Sequence, residues 1–207
     1  MIPFPQKKYA CILADPPWHF KMYSKKGYTT KSAEGQYDTM TLEDIKDLPV
    51  GEIADKNCFL FLWATFPMIR EAIEVMSAWG FEYKTGGAWA KMTKNGKHAF
   101  GTGYVLRSAA ELFLIGTKGR VQILNRSTRN IIADTVREHS RKPDSQYKII
   151  EDLVAGPRIE LFARQHRDGW DCWGNQTDKF TSEPETERNC EIMAEPDLFS
   201  ILEGITA

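Results

Sequence analysis

Residues Ala14-Asp15-Pro16-Pro17-Trp18 put a carboxylate, two stiffened peptide units and a large aromatic ring side by side. Consecutive prolines fix two φ angles and remove two N–H donors, so the backbone here offers mainly carbonyls. Such a stretch can accept hydrogen bonds from an amine and stack against a flat ring. A pocket for a nucleobase amino group needs both. The competing reading is a plain turn, because Asp-Pro and Pro-Pro punctuate loops, with Trp18 a core residue.

Other residues carry chemistry less plainly. Glu160 lies inside an apolar run, Arg-Ile-Glu-Leu-Phe-Ala, where a carboxylate needs a partner. Arg158 or Arg164 could be that partner in a purely structural role. His19 to Tyr37 interleaves Lys21, Lys25, Lys26 and Lys31 with Phe20, Tyr23, Tyr28 and Tyr37. Basic and aromatic residues together hold phosphates and stack bases, and so long a loop is functional or disordered. Basic stretches at 91–98 and 118–142 are solvated faces or further nucleic-acid contacts. Lys142 and His166, taken alone, read as surface residues. His19, His98 and His139 have no metal-ligand spacing with Cys or acids, so no metal is expected. Cys11, Cys58, Cys172 and Cys190 are scattered, which fits reduced thiols in a cytosolic protein.

The elements that must position these residues alternate. Residues 9–14 form a buried strand that ends at Pro16, and strand ends are where ligands bind in α/β folds. Thr41 is an N-cap, with Asp44 in the first turn and Pro49 closing a short helix. Asn57 to Thr65 is a second buried strand. Pro67 opens a helix with Ile69, Ala72, Ile73 and Met76 on its apolar face, stopped by Gly80. A third strand lies within 81–90, interrupted by Gly86-Gly87. Asn95-Gly96 marks a hairpin turn. Residues 111–116 form a strand, and 121–141 show few regular signals. Pro143 starts a helix with Tyr147, Ile150 and Val154 on one face, ended by Gly156-Pro157. Strands follow at 158–163 and 170–174. Strands alternating with helices argue for a parallel sheet with right-handed crossovers.

At 207 residues, 42% hydrophobic and 27% charged, the chain is long enough for one domain with a real core. No stretch is long and apolar enough to span a bilayer, and Met1-Ile2-Pro3-Phe4-Pro5 does not resemble a signal peptide. The net charge of −1 is unevenly spread. From Phe180 onward seven acids face Arg188 alone, a net of −6, which leaves +5 for residues 1–179. A basic body suits a polyanion. The acidic tail, 180–207, is read as solvated, with competition for the basic surface as the alternative.

Asp15-Pro16-Pro17-Trp18 resembles the Asp-Pro-Pro-Trp motif of the MT-A70 family of adenine-N6 methyltransferases. Further blocks are similar in the same order: Tyr37-Asp38-Thr39-Met40, Phe59 to Trp63, Arg107 to Gly119 through Glu111, Gly116 and Gly119, His139 to Asp144, and Glu160 to His166 with Gly174-Asn175-Gln176. Together they cover roughly residues 8–178. The resemblance implies an α/β, Rossmann-like fold of S-adenosylmethionine-dependent methyltransferases, with a mostly parallel sheet. It is circularly permuted, the catalytic motif N-terminal and the cofactor block C-terminal. The domain is 1–179. Catalysis would rest on Asp15, Pro16, Pro17 and Trp18, with Tyr37, Lys21, Lys25 and Lys26 on the substrate. The cofactor S-adenosyl-L-methionine would meet Asp15, Lys142, Glu160, Arg164, His166, Asn175 and Gln176. Lys142 and His166 would lie near its carboxylate, Arg164 and Asn175 near the ribose, and Gln176 near the adenine. No Gly-rich fingerprint follows any strand, so cofactor binding rests on the resemblance. With fourteen residues before Asp15, the chain is expected to lack the acidic cofactor contact that longer members carry ahead of the first strand.

The implied partner is nucleic acid, with DNA favoured because compact bacterial and phage members modify DNA. RNA is the alternative, and a non-catalytic scaffold of the same fold is a third reading. Adenine within a duplex must be flipped out to react. Binding to the backbone should weaken steeply with salt. A cytoplasmic protein without membrane contact is expected, a homodimer being one option.

Overall fold

The computed structural model describes residues 2–19, 40–103, 105–138 and 140–180. Lys21, Lys25, Lys26, Tyr37, His139 and the tail beyond Phe180 lie outside the described residues. Two apolar runs make the middle of the sheet: Tyr9–Ala14 (β1) and Ala54–Ala64 (β2). Residues 58–64 are buried without alternation, as suits a strand covered on both faces. Between them lie two short helices, Leu42–Lys46 (α1) and Val50–Ile53 (α2). Thr41 caps α1, its hydroxyl oxygen accepting the Asp44 N–H at 3.1 Å. A 3₁₀ turn, Phe66–Met68, leads into Ile69–Ala78 (α3). Glu82–Met92 (β3), Ala110–Lys118 (β4), Ile131–Thr135 (β5), Ser145–Leu153 (α4), Arg158–Leu161 (β6) and Trp170–Trp173 (β7) complete the order.

The strands form one sheet in the order β5-β3-β4-β2-β1-β6-β7. β4 runs against both of its neighbours and the other strands share one direction. The carboxyl ends of β1, β3, β5 and β6 therefore open on one edge, together with the start of β4. Consecutive residues of β1 feed opposite faces. Ile12 and Ala14 join Leu60, Leu62, Val75, Met76 and Trp79 under α1–α3. Cys11 and Leu13 join Phe61, Trp63, Phe113, Tyr147 and Ile150 under α4. Each fully buried aliphatic or aromatic side chain contributes roughly 1.5–3 kcal/mol.

Local expectations meet the structure unevenly. In α3 the buried stripe is Ala72, Val75, Met76 and Trp79, while Ile69 and Ile73 face outward. The stripe at 69, 72, 73 and 76 has the same spacing but a smaller payload. The Trp79 indole, which donates to the Ile45 carbonyl at 2.9 Å, sets the rotation. Gly86-Gly87 does not interrupt β3, which continues to Met92. A Cβ at Gly87 would collide with the Asn130 carbonyl and the Phe113 ring, so the glycine serves a close backbone approach. The 121–141 stretch, expected to be irregular, contains β5. The glycines of the Arg107–Gly119 block make room: a Cβ at Gly116 would lie 2.6 Å from Met76 Sδ, and Gly119 has φ +68°. The expected turn at Asn95-Gly96 is present, with Gly96 at φ 71°.

Candidate active site

The turn after β1 is pinned from several sides. Trp18 N–H donates to the Pro16 carbonyl at 2.8 Å, and Met40 N–H to the Pro17 carbonyl at 3.1 Å. The Trp18 indole N–H donates to the Trp63 carbonyl at 3.0 Å. Its ring is 5% exposed and joins the core beside β2. Trp18 is thus the core residue of the competing sequence reading and offers no free face for stacking. The motif's aromatic anchors the turn, and Asp15 is the group that the turn presents.

Asp15 is held by Lys142, in the loop between β5 and α4. Lys142 Nζ lies 2.8 Å from both Asp15 carboxylate oxygens and 2.9 Å from Glu111 Oε1. The ammonium also sits 5.3 Å from the centre of the Trp63 ring. The other Glu111 oxygen meets Lys91 Nζ, at the end of β3, at 2.8 Å. The result is an alternating chain, Asp15–Lys142–Glu111–Lys91, across the carboxyl edge of the sheet. Burial alone would push the Lys142 pKa down. The Asp15 and Glu111 carboxylates outweigh it and hold the ammonium above the usual lysine range. Burial likewise works to raise Glu111, but Lys142 and Lys91 bring it down to about 2. Arg137 braces the loop, donating to Asp144 at 2.6 Å and to the Lys142 carbonyl at 2.9 Å.

Glu160 comes from β6, whose Glu160–Leu13 register sets it beside β1. Its hydrogen-bond partner is Tyr147 of α4, whose hydroxyl donates to Oε2 at 2.8 Å. Burial pushes the Glu160 carboxyl up to about 7, against the pull of that bond, and the Asp15 and Asp144 charges add to the rise. Gln165 Nε2 in turn donates to the Tyr147 hydroxyl at 3.2 Å.

Asp15, Lys142, Glu160 and Arg164 line one open cleft, which Phe162 and Phe180 wall. Two residues of its lining, Ser140 and Phe162, are non-glycine positions with φ near +60°. Strain of this kind persists where the surroundings impose it, and it clusters at ligand sites. Phe180, assigned to the tail by the sequence, is docked on the domain. Its N–H donates to the Arg164 carbonyl at 3.0 Å, and its ring lies 4.9 Å from the Arg141 guanidinium.

The expected cofactor block is only partly assembled. His166, Asn175 and Gln176 do not line this cleft. His166 faces Cys172, with Nδ1 3.1 Å from Sγ, and Asp178, with Nε2 3.4 Å from Oδ1. Gln176 Oε1 accepts from Lys179 Nζ at 3.3 Å. The sequence reading missed Lys91 and Tyr147, and it used Glu111 only as a motif position. A half-buried acid between a strand-end lysine and a loop lysine is visible only once the sheet is assembled.

A crevice lined by carboxylates at the strand ends of a mostly parallel, two-faced sheet defines the class, a Rossmann-like methyltransferase fold. The chain belongs to the MT-A70 family, whose model matches residues 9–176. It is 34% identical over 191 residues to the Type II methyltransferase M.MunI of a Mycoplasma species, covering 82% of this chain and 78% of that protein. It is also 34% identical over 181 residues to the human N(6)-adenosine-methyltransferase catalytic subunit METTL3, covering 83% of this chain but 28% of METTL3. The zebrafish METTL3 subunit is similar to the same extent. MT-A70 methyltransferases are in general S-adenosylmethionine-dependent. Among the described residues no helix is long and apolar enough to cross a membrane.

Proposed function

We propose that this chain transfers a methyl group from S-adenosylmethionine to N6 of adenine in DNA. The observation that carries the reading is the Asp15 carboxylate, both oxygens of which are held by Lys142 in a cleft shared with Glu160 and Arg164. Adenine N6 is a poor nucleophile because its lone pair is delocalised into the ring. Asp15 and the second lone pair of the Pro16 carbonyl accept the two N6 hydrogens. That favours a pyramidal nitrogen with its lone pair free. Catalysis is then proximity and electrostatic preorganisation.

The cleft fits the cofactor by its donor set. Carboxylates suit an ammonium and a ribose diol, Arg164 suits a carboxylate, and Phe162 and Phe180 suit an adenine ring. Bound there, the cofactor supplies an electrophilic methyl group on a sulfonium. Lys142 has its three protons committed to Asp15 and Glu111. Its role is to orient Asp15, rather than to meet the cofactor carboxylate as the resemblance implies. Because Asp15 precedes the Glu160 block in the chain, we read the domain as circularly permuted.

The DNA reading is supported by the likeness to the Type II methyltransferase, 34% identical over 191 residues. The test is radiolabelled methyl transfer to matched random-sequence DNA and RNA, with digestion and detection of N6-methyladenine. Label appearing only in RNA sinks the DNA reading. Asp15→Ala should abolish turnover and leave the fold intact, and substantial methylation by that variant sinks the assignment.

A further inference from the structure

Beyond the end of β3 the chain builds a finger at the same edge as Asp15. The stem is hydrogen-bonded: Ala99 N–H donates to the Lys91 carbonyl at 2.6 Å, Lys91 N–H to the Ala109 carbonyl at 2.8 Å, and Gly101 N–H to the Ser108 carbonyl at 2.9 Å. Its glycines allow a narrow tip. A Cβ at Gly101 would lie 2.7 Å from the Ser108 carbonyl oxygen, and one at Gly103 would collide with that of Leu106. Near the tip, apolar side chains stand in solvent: Val105 is 93% exposed, and Phe100 and Leu106 are each 82% exposed. The Arg107 guanidinium lies 5.6 Å from the Phe100 ring centre.

Charge and position indicate the partner. From Met92 to Ala110 the sequence holds Lys94, Lys97 and Arg107, all exposed, and no Asp or Glu. A run of cations without carboxylates suits the phosphates of a polyanion. The stem also starts and ends beside the active-site ion-pair chain, since Lys91 directly precedes Met92, the last residue of β3, and Glu111 directly follows the first residue of β4. A duplex adenine reaches Asp15 only if it leaves the stack, and small apolar side chains can wedge between base steps opened in this way.

We propose that residues 99–103 and 105–109 belong to a wedge, in which Val105 and Leu106 enter the base stack beside the flipped adenine while Lys94, Lys97 and Arg107 hold the flanking phosphates. This rests on the DNA reading and adds how a duplex is opened. The alternative occupant, a second protein chain on the apolar tip, is an outcome of the test.

The experiment compares wild-type protein with the Val105→Ser/Leu106→Ser double variant on unmethylated genomic DNA, native and heat-denatured, reading N6-methyladenine. Cofactor titration and sedimentation are run alongside. The expected result is a loss of about tenfold or more on native DNA, with activity on denatured DNA within about twofold, since only the duplex needs opening. Cofactor affinity and sedimentation should not change. Equal losses on both substrates, or no loss on native DNA, overturn the wedge. So does a change in oligomeric state that accompanies the loss. Wild-type protein active on denatured DNA alone overturns the wedge but not the DNA reading. Inactivity on both forms overturns both.

Discussion

Lys142 and Asp15, 127 residues apart, meet through both carboxylate oxygens at 2.8 Å, with 10% and 17% of their side chains exposed. One carboxylate cannot satisfy an ammonium this deep, because three N–H donors need acceptors, and Glu111 takes the remaining one. Asp15 is therefore fixed in direction before any substrate arrives. Preorganised charge of this kind costs no rearrangement during the reaction.

Replacing Lys142 by Met should leave Asp15 and Glu111 as neighbouring, largely buried acids, each 17% exposed, without their shared cation. Removing one partner of a buried pair costs on the order of 3–5 kcal/mol, so the melting temperature should fall well below that of wild type. Methyl transfer should drop by roughly two to three orders of magnitude, as when one preorganised electrostatic group is lost. A variant with unchanged kcat would show that Lys142 does not orient Asp15.

Glu111→Gln separates orientation from cofactor binding. Gln keeps an acceptor for Lys142 but loses the charge. Its expected signature is a lowered kcat with the cofactor Kd nearly unchanged, measured by single-turnover kinetics and calorimetry. The acid limb of stability should change too. Glu111 is held at about 2, below the usual glutamate value. Wild-type stability gained from its charge is thus present above the ordinary pKa and lost as pH falls toward 2. That contribution is about 3 kcal/mol and should be missing in the variant. A variant with the wild-type acid limb would rule out Glu111 as its source.

The parts of this site legible in the sequence are those that carry their own context. β1 and β2 are unbroken apolar runs, and Glu160 stands out as a charge inside another. β5 is not legible, because Ile131–Thr135 is short, ends on the polar pair Asp134-Thr135 and is exposed at Ile131 and Ala133 on the sheet margin. Trp18 could be core or stacking platform from its type alone, and only the Trp63 carbonyl beside its N–H decides. The Lys142–Glu111 contact joins a loop to a strand start, and no local spacing announces it. Lys142 looks like a free surface cation for the same reason. The motif blocks name Asp15 and Glu160, and both line one cleft. They do not show that His166 turns toward Cys172 and Asp178.

Gly87→Ala tests the reading of β3 as continuous. The new methyl would press on the Asn130 carbonyl and the Phe113 ring, where backbone and aromatic core leave no space. Overpacking of this sort costs about 1–3 kcal/mol. The loss should appear as a lower denaturation midpoint, with faster hydrogen exchange at Ile131–Thr135 as β5 loosens. If Gly87 only interrupted the strand, Ala would be neutral or stabilising, and exchange in β5 would not change.

Glu160 gives the opposite pH dependence to Glu111. Its folded value, about 7, lies above the ordinary 4.5, so the native state holds a proton that the unfolded chain releases. Stability from this group is complete below pH 4.5, declines as pH rises through 7, and then levels off; the whole change is about 3 kcal/mol. Glu160→Gln should remove that slope, making the variant relatively more stable as pH rises. Cofactor binding adds a second consequence. A ribose diol or an ammonium favours the ionised carboxylate, so binding should expel the proton and affinity should climb with pH, by up to about tenfold per unit below 7. Titration calorimetry in two buffers of different ionisation heat counts the released proton directly. In Glu160→Gln both the release and the pH dependence should vanish. Affinity that is flat in the wild type between about pH 5.5 and 7.5 would remove Glu160 from the cofactor site.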